Sequence, residues 1–135
     1  MFIYEHQLRV RYAETDQMGY VYYGNYAAFY EVARTEMLRQ TGISYKELED
    51  MGVMMPVLEM HTKYHQPAKY DELITIKTII REKPGIRINF EYEISNEQGV
   101  LLNTGSTQLV FVDMKKNRPC RPPEIFMDKM ATYFT

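Results

Sequence analysis

Residues 12–34, YAETDQMGYVYYGNYAAFYEVAR, decide how the chain folds. The first half carries a lone Asp16 and a glycine at 19, residue types that turn a chain rather than extend it. From Tyr26 the pattern changes. Tyr26, Phe29, Tyr30, Ala33, Met37 and Leu38 recur at three-and-four spacing and form one buried stripe. Gly24 or Asn25 is placed to cap this helix, which runs to Thr41 and stops at Gly42. Arg34 and Arg39 lie toward its C-terminal end, where cations suit the helix dipole. One long helix with an apolar face needs something to wrap it.

The flanking sequence supplies a sheet. Ile3–Tyr12 alternates from Leu8 onward, with Leu8, Val10 and Tyr12 on one face, and reads as a strand. Ser44 and Glu47 form a capping box that opens a short helix ending at Gly52. Four extended stretches follow. Val53–Tyr64 contains Pro56, which marks an edge or bulge. Glu72–Arg81 is rich in Ile and Thr. In the third, Ile86, Ile88, Phe90, Tyr92 and Ile94 alternate with Arg87, Asn89, Glu91 and Glu93, as in a half-buried strand. In Val100–Met114, Gly105 marks a bulge or a close approach of backbone. After the basic loop KKNRPCRPP, residues Pro123–Phe134 read as a terminal helix. The class is therefore α+β: a curved antiparallel β-sheet around a long central α-helix, in a single domain over residues 1–135.

Composition narrows the function. A net charge of −2 gives no general attraction for nucleic acid or anionic membrane. No window approaches the roughly 20 apolar residues of a membrane-spanning helix. The opening MFIYEHQLRV is charged and alternating, unlike a signal peptide, and the lone Cys120 cannot form an internal disulfide. A cytoplasmic location is the expectation. Of twelve tyrosines, Tyr20, Tyr22, Tyr23, Tyr26 and Tyr30 crowd together, either as amphipathic rings lining a cleft or interface or as core residues whose hydroxyls find partners.

Asp16 stands just ahead of the helix start, where unpaired backbone N–H groups and a partial positive charge gather. A carboxylate beside such donors is suited to attack a carbonyl and to have the resulting oxyanion stabilised. His61 and His65 have the spacing of a helical metal pair, but on a strand they stand roughly 13 Å apart, so no metal is assigned. Lys115, Lys116, Arg118 and Arg121 are either a solvated loop or a contact for phosphates.

The run Glu14-Thr-Asp16-x-Met-Gly19-x-Val21-Tyr22-x-x-Asn25-Tyr26, then Phe29-Tyr30-Glu31-x-Ala33-Arg34-Thr35-Glu36, resembles the hot-dog-fold acyl-CoA thioesterases. The similarity is to the 4-hydroxybenzoyl-CoA thioesterase family, and within it to the Tol-Pal-associated subgroup. It continues through Gly42-x-Ser44-Tyr45, Tyr64-x-x-Pro67-Ala68-x-Tyr70-Asp71 and Phe111-Val112-Asp113. The resemblance implies hydrolysis of an acyl-CoA or acyl-carrier-protein thioester. Coenzyme A is then part of the substrate, with no separate cofactor. It further implies Asp16 as nucleophile or general base and the Tyr23 N–H as the carbonyl polariser. Tyr12 would support Asp16, with Tyr20, Tyr22, Gly24 and Asn25 near the substrate. Glu31 is a secondary candidate for the base. Where many similar enzymes have histidine, this chain has Tyr23 or Tyr20, and tyrosine, with an ordinary pKa of about 10, is a poor base at neutral pH. A homodimer joined edge to edge, assembling to a homotetramer, is implied as well. The alternatives are a hot-dog hydratase or dehydratase, against which the absence of histidine from residues 12–36 counts, and a non-catalytic acyl-thioester binder.

Overall fold

A computed structural model describes residues 1–134. Five strands form one antiparallel sheet in the order β1-β4-β5-β6-β3: Phe2–Arg9 (β1), Val57–Tyr64 (β3), Leu73–Ile80 (β4), Arg87–Ser95 (β5) and Leu101–Val110 (β6). Three two-residue strands make a second small sheet: Val53–Met54 (β2), Val112–Asp113 (β7) and Arg118–Pro119 (β8). The helices are Tyr26–Arg39 (α1), Tyr45–Asp50 (α2) and Glu124–Ala131 (α3). The large sheet wraps α1, which packs against β1 and β4.

The helical stripe is the core. Tyr26, Phe29, Tyr30, Ala33, Met37 and Leu38 are the buried residues of α1, and burial of each large side chain is worth roughly 2 kcal/mol. They meet Ile74, Ile76, Ile80, Ile88, Phe90, Tyr92 and Ile94 from the inner faces of β4 and β5. The alternation in β5 holds throughout: Ile88, Phe90, Tyr92 and Ile94 are buried, while their odd-numbered neighbours face out. In α2, Ser44 Oγ accepts the Glu47 N–H at 3.1 Å. Replacing Ser44 by Ala is expected to cost about 1 kcal/mol, read as a lower urea midpoint at unchanged m-value.

Several boundaries differ from the sequence expectation. Strand β1 ends at Arg9, and Tyr12 is not on the sheet's inner face but in a 3-10 turn, 79% exposed. The cause is Glu14, whose Oε1 takes the Arg11 N–H at 2.7 Å and draws the chain into a turn. Pro56 splits the extended 53–64 stretch into β2 and β3. The 100–114 stretch breaks at Phe111, whose N–H bonds Ile86 rather than a ladder partner. The basic loop contains a hairpin. Asp113 Oδ1 accepts the N–H groups of Lys116 and Lys115, both at 2.9 Å, which holds its carboxyl below the usual range and shapes the β7–β8 turn.

Gly105 admits a close approach. A methyl there would overlap the hydroxyl of Tyr30 and stand 2.8 Å from the His61 carbonyl. That hydroxyl donates to Asn103 Oδ1, and Asn103 Nδ2 donates to Thr62 Oγ1 (2.9 Å) and to the Lys63 carbonyl (3.0 Å). The Tyr30 ring stacks on Tyr92 at 4.1 Å. Helix α1, β6 and the edge strand β3 are thus fixed to one another by a buried polar chain.

Burial pushes the Tyr30 hydroxyl up to about 12. An unfolded chain loses this proton near 10, so Tyr30's contribution to stability is intact below pH 10 and is lost as the pH climbs toward 12. Urea midpoints are expected to fall across that window, and Tyr30→Phe is expected to flatten part of the fall.

Candidate active site

The turn that holds Asp16 is built from its own hydrogen bonds. The Asp16 N–H donates to the Tyr20 carbonyl at 2.8 Å, and the Gly19 N–H to the Asp16 carbonyl at 3.0 Å. Gly19 takes φ +77°, a region that few other residues enter without strain. Asp16 Oδ1 accepts the N–H groups of Met18 (2.9 Å) and Tyr20 (3.2 Å). Asp16 is therefore a turn former, as aspartate commonly is. Oδ2 accepts no hydrogen bond among the described residues, and the side chain is half-buried.

The loop is docked, not free. Val21 N–H bonds the Ala68 carbonyl at 2.8 Å and Tyr70 N–H bonds the Gly19 carbonyl at 2.9 Å. Tyr22 N–H and Asn25 Nδ2 both bond the Glu14 carbonyl, at 2.9 and 2.8 Å, which sets the loop against the start of the helix. Residues Tyr23–Asn25 form a 3-10 turn that leads into α1. Its opening N–H, at Tyr23, lacks an intrahelical acceptor, as do all first-turn donors.

A cleft of about 430 Å³ lies between this loop and the segment after β3. Asp16, Tyr20, Tyr23 and Tyr26 line one side, and Tyr64, His65, Gln66 and Pro67 the other. Its aromatic rings lie edge to face: Tyr26 and Tyr64 have centroids 5.3 Å apart, and Tyr23 and Tyr64 6.5 Å. Tyr64 Oη donates to the Tyr23 carbonyl at 3.3 Å. Burial, opposed by a hydrogen bond with the Ala68 backbone, pushes the Tyr26 hydroxyl above its ordinary value.

The structure thus gathers Asp16, Tyr20 and Tyr23, and separates the other candidates from them. Tyr12 packs against Tyr70 at 5.5 Å and does not line the cleft. Tyr22 lies over Gly24, where any Cβ would meet its ring at 2.7 Å, and its hydroxyl is raised by a hydrogen bond with Tyr23. Neither Tyr22 nor Gly24 faces the cavity, and Asn25 ties the loop to the helix instead. Asn25 also makes no side-chain cap, since the 3-10 turn runs on into α1 and its backbone is already helical, at φ −83° and ψ −11°.

Glu31, the secondary candidate for the base, lies away from the cleft: it is exposed on the opposite face of α1, beside Arg34, Thr35 and Tyr45. No ion pair joins it to Arg34, whose Nη1 lies 3.5 Å from the Tyr92 hydroxyl.

The far wall went unread from sequence. Tyr64 and Pro67 stood within the motif run, yet nothing local indicated that 64–67 would face Asp16. His61 and His65 part company here: His61 lies 3.7 Å from Glu59, and His65 Nε2 lies 3.0 Å from Thr104 Oγ1. The absence of histidine from residues 12–36, which counts against a hydratase, takes no account of the imidazole of His65, which reaches the cleft from just beyond β3.

Residues 10–130 match the thioesterase-like superfamily. Acyl-CoA thioester hydrolase YbgC of Escherichia coli is 38% identical over 117 residues, which cover 87% of each protein. The structure of a DHNA-CoA thioesterase from Staphylococcus aureus superposes with TM-score 0.90 at 36% identity, over 99% of this chain and 90% of that one. A 4-hydroxybenzoyl-CoA thioesterase structure superposes with TM-score 0.83 at 19% identity, over 96% and 99%, a likeness that bears on the fold alone. The sheet-around-helix arrangement is the hot-dog fold, and the chain belongs to the thioesterase-like superfamily as a thioester hydrolase.

Proposed function

We propose that the protein hydrolyses an acyl-CoA thioester to the free acid and coenzyme A at the Asp16 cleft. One observation carries this reading: a carboxylate with one oxygen anchored and the other uncommitted shares a cavity with the opening of a helix. The Tyr23 N–H polarises the thioester carbonyl and receives its developing negative charge, while Asp16 acts on the carbonyl carbon as nucleophile or through water. The names of the similar proteins, acyl-CoA thioester hydrolase and DHNA-CoA thioesterase, support coenzyme A as the carrier over an acyl-carrier protein. By its motifs the chain sits beside the Tol-Pal-associated subgroup, from which Tyr23 departs. The ring-lined cavity favours an aromatic or apolar acyl group.

The same reading makes the protein a dimer that assembles to a tetramer. Strand β3 is an edge of the large sheet, and Val57, Leu58, Met60 and Tyr64 on it are exposed. Pairing two β3 edges removes an aggregation-prone border and sets Tyr64 and its cleft at the junction. No helix among the described residues is long and apolar enough to cross a membrane. Action in the cytoplasm is part of the same proposal.

A thiol-release assay over short, long and aromatic acyl-CoA esters, with an enoyl-CoA included, tests the reading. Stoichiometric thiol and free acid are expected, fastest with an aromatic acyl group. Water addition to the enoyl ester without thiol release selects a hydratase. Binding with neither reaction selects a non-catalytic carrier.

A further inference from the structure

We propose that His65 is the proton carrier of the reaction, taking the proton of the attacking water and passing it to the thiolate that the first step released. The inference rests on the thioesterase reading above and settles which group acts as base.

Asp16 is poorly placed to be that base. Two backbone N–H groups hold its carboxylate through Oδ1 and leave one oxygen, Oδ2, which cannot bond the acyl carbon and take up a water proton in the same step. The free Oδ2 is better used as a nucleophile. The tyrosines Tyr20, Tyr23, Tyr26 and Tyr64 are phenols that ordinarily hold their protons to about pH 10. His65 is the only imidazole among the residues lining the cleft, and imidazole is the side chain that changes charge near neutrality.

The surroundings of His65 fit a proton carrier. Its own N–H and that of Gln66 both donate to the Leu102 carbonyl, at 2.9 and 3.0 Å, so the backbone at the end of β3 is pinned. Nε2 meets Thr104 Oγ1 at 3.0 Å. With Nε2–H donating to Thr104 Oγ1, Nδ1 is left as the nitrogen that takes up the water proton, and the charged ring keeps the same contact. Lys63 and Tyr64 on β3 and Glu93, opposite Thr104 across β5–β6, are the other titratable groups near it. Asp16, Tyr20, Tyr23 and Tyr26 face it across the cleft.

The steps balance. Asp16 Oδ2 forms a bond to the acyl carbon, the C–S bond breaks, and the sulfur leaves with the electron pair as thiolate. Water then attacks the acyl carbon of the mixed anhydride while neutral His65 Nδ1 accepts a water proton. The C–O bond to Asp16 breaks, freeing the acid and restoring the carboxylate. His65 gives its proton to the thiolate, and the enzyme returns to its starting state.

The test is rapid-mix thiol release with His65→Gln. The expected result is a burst of one thiol per active site and then a steady rate about 10²-fold below wild type. Added imidazole should restore steady turnover to His65→Ala, which guards against a folding effect. A steady rate within twofold of wild type overturns the proposal. So does a slower rate with neither burst nor rescue. Asp16→Asn separates the two ideas: if it stays active, the reaction does not run through Asp16 and the reading beneath the proposal fails. If it is dead while His65→Gln is unaffected, only the proton carrier is wrong.

Discussion

Asp16→Asn is expected to lower kcat/KM for acyl-CoA hydrolysis by at least ~10³-fold while leaving the fold and substrate affinity nearly unchanged. The substitution is close to isosteric, and an asparagine carbonyl oxygen still accepts the Met18 and Tyr20 N–H groups. Only the charge and the nucleophilic lone pairs of Oδ2 are removed. The loss should therefore fall on kcat, with KM moving little. Asp16→Ala is a useful contrast, because it deletes both the nucleophile and the turn's acceptor. It should be equally inactive and also about 1–2 kcal/mol less stable, as two N–H groups lose their acceptor. Steady-state kinetics with urea melts of the two variants separate chemistry from architecture. Equal stability loss in both would mean that the carboxylate's charge, rather than its acceptor geometry, holds the turn.

Gly105→Ala should destabilise the protein by about 3 kcal/mol, the largest effect expected from adding a single methyl group. The new carbon would overlap the Tyr30 hydroxyl and press on the His61 backbone. Tyr30 has nowhere to retreat, since it is fully buried, stacked on Tyr92, and bonded to Asn103 and Thr62. Strand β3 cannot yield without breaking its ladder to β6. Removing the hydroxyl with Tyr30→Phe relieves part of the clash, so the double variant should lose less stability than the two single losses combined. Strict additivity in that cycle would show that the contact at Gly105 is not with Tyr30.

How much of this was legible beforehand depended on how local the cause was. The six buried positions of α1 were readable because helical periodicity is a property of neighbours in sequence. The alternation of β5 was readable for the same reason, whereas Gly105 was readable only as a bulge or a close approach, and the Tyr30 hydroxyl beside it decides for the second. Tyr12 misled because its parity with Leu8 and Val10 continued past the point where Glu14 captures the Arg11 N–H. Glu31 misled because the helix is long and central, yet only one face of it meets the sheet. Asp16 and Tyr23 were paired by the family resemblance alone, and they line one cleft because one short loop carries both. The opposite wall, Tyr64–Pro67, is brought there by backbone bonds from Val21 to Ala68 and from Tyr70 to Gly19, contacts with no trace in local pattern.

The central claim is that a thioester carbonyl binds between the free oxygen of Asp16 and the N–H that opens the helix at Tyr23. A structure of the assembled protein with an inert thioether analogue of an aromatic acyl-CoA measures this directly. The reacting end should lie in the tyrosine-lined cleft, with its oxygen within about 3 Å of the Tyr23 nitrogen and Asp16 Oδ2 facing the adjoining carbon. An analogue seated elsewhere, such as the cleft lined by His61, Lys63 and Glu91 on the outer face of the sheet, with Asp16 turned to solvent, would contradict it.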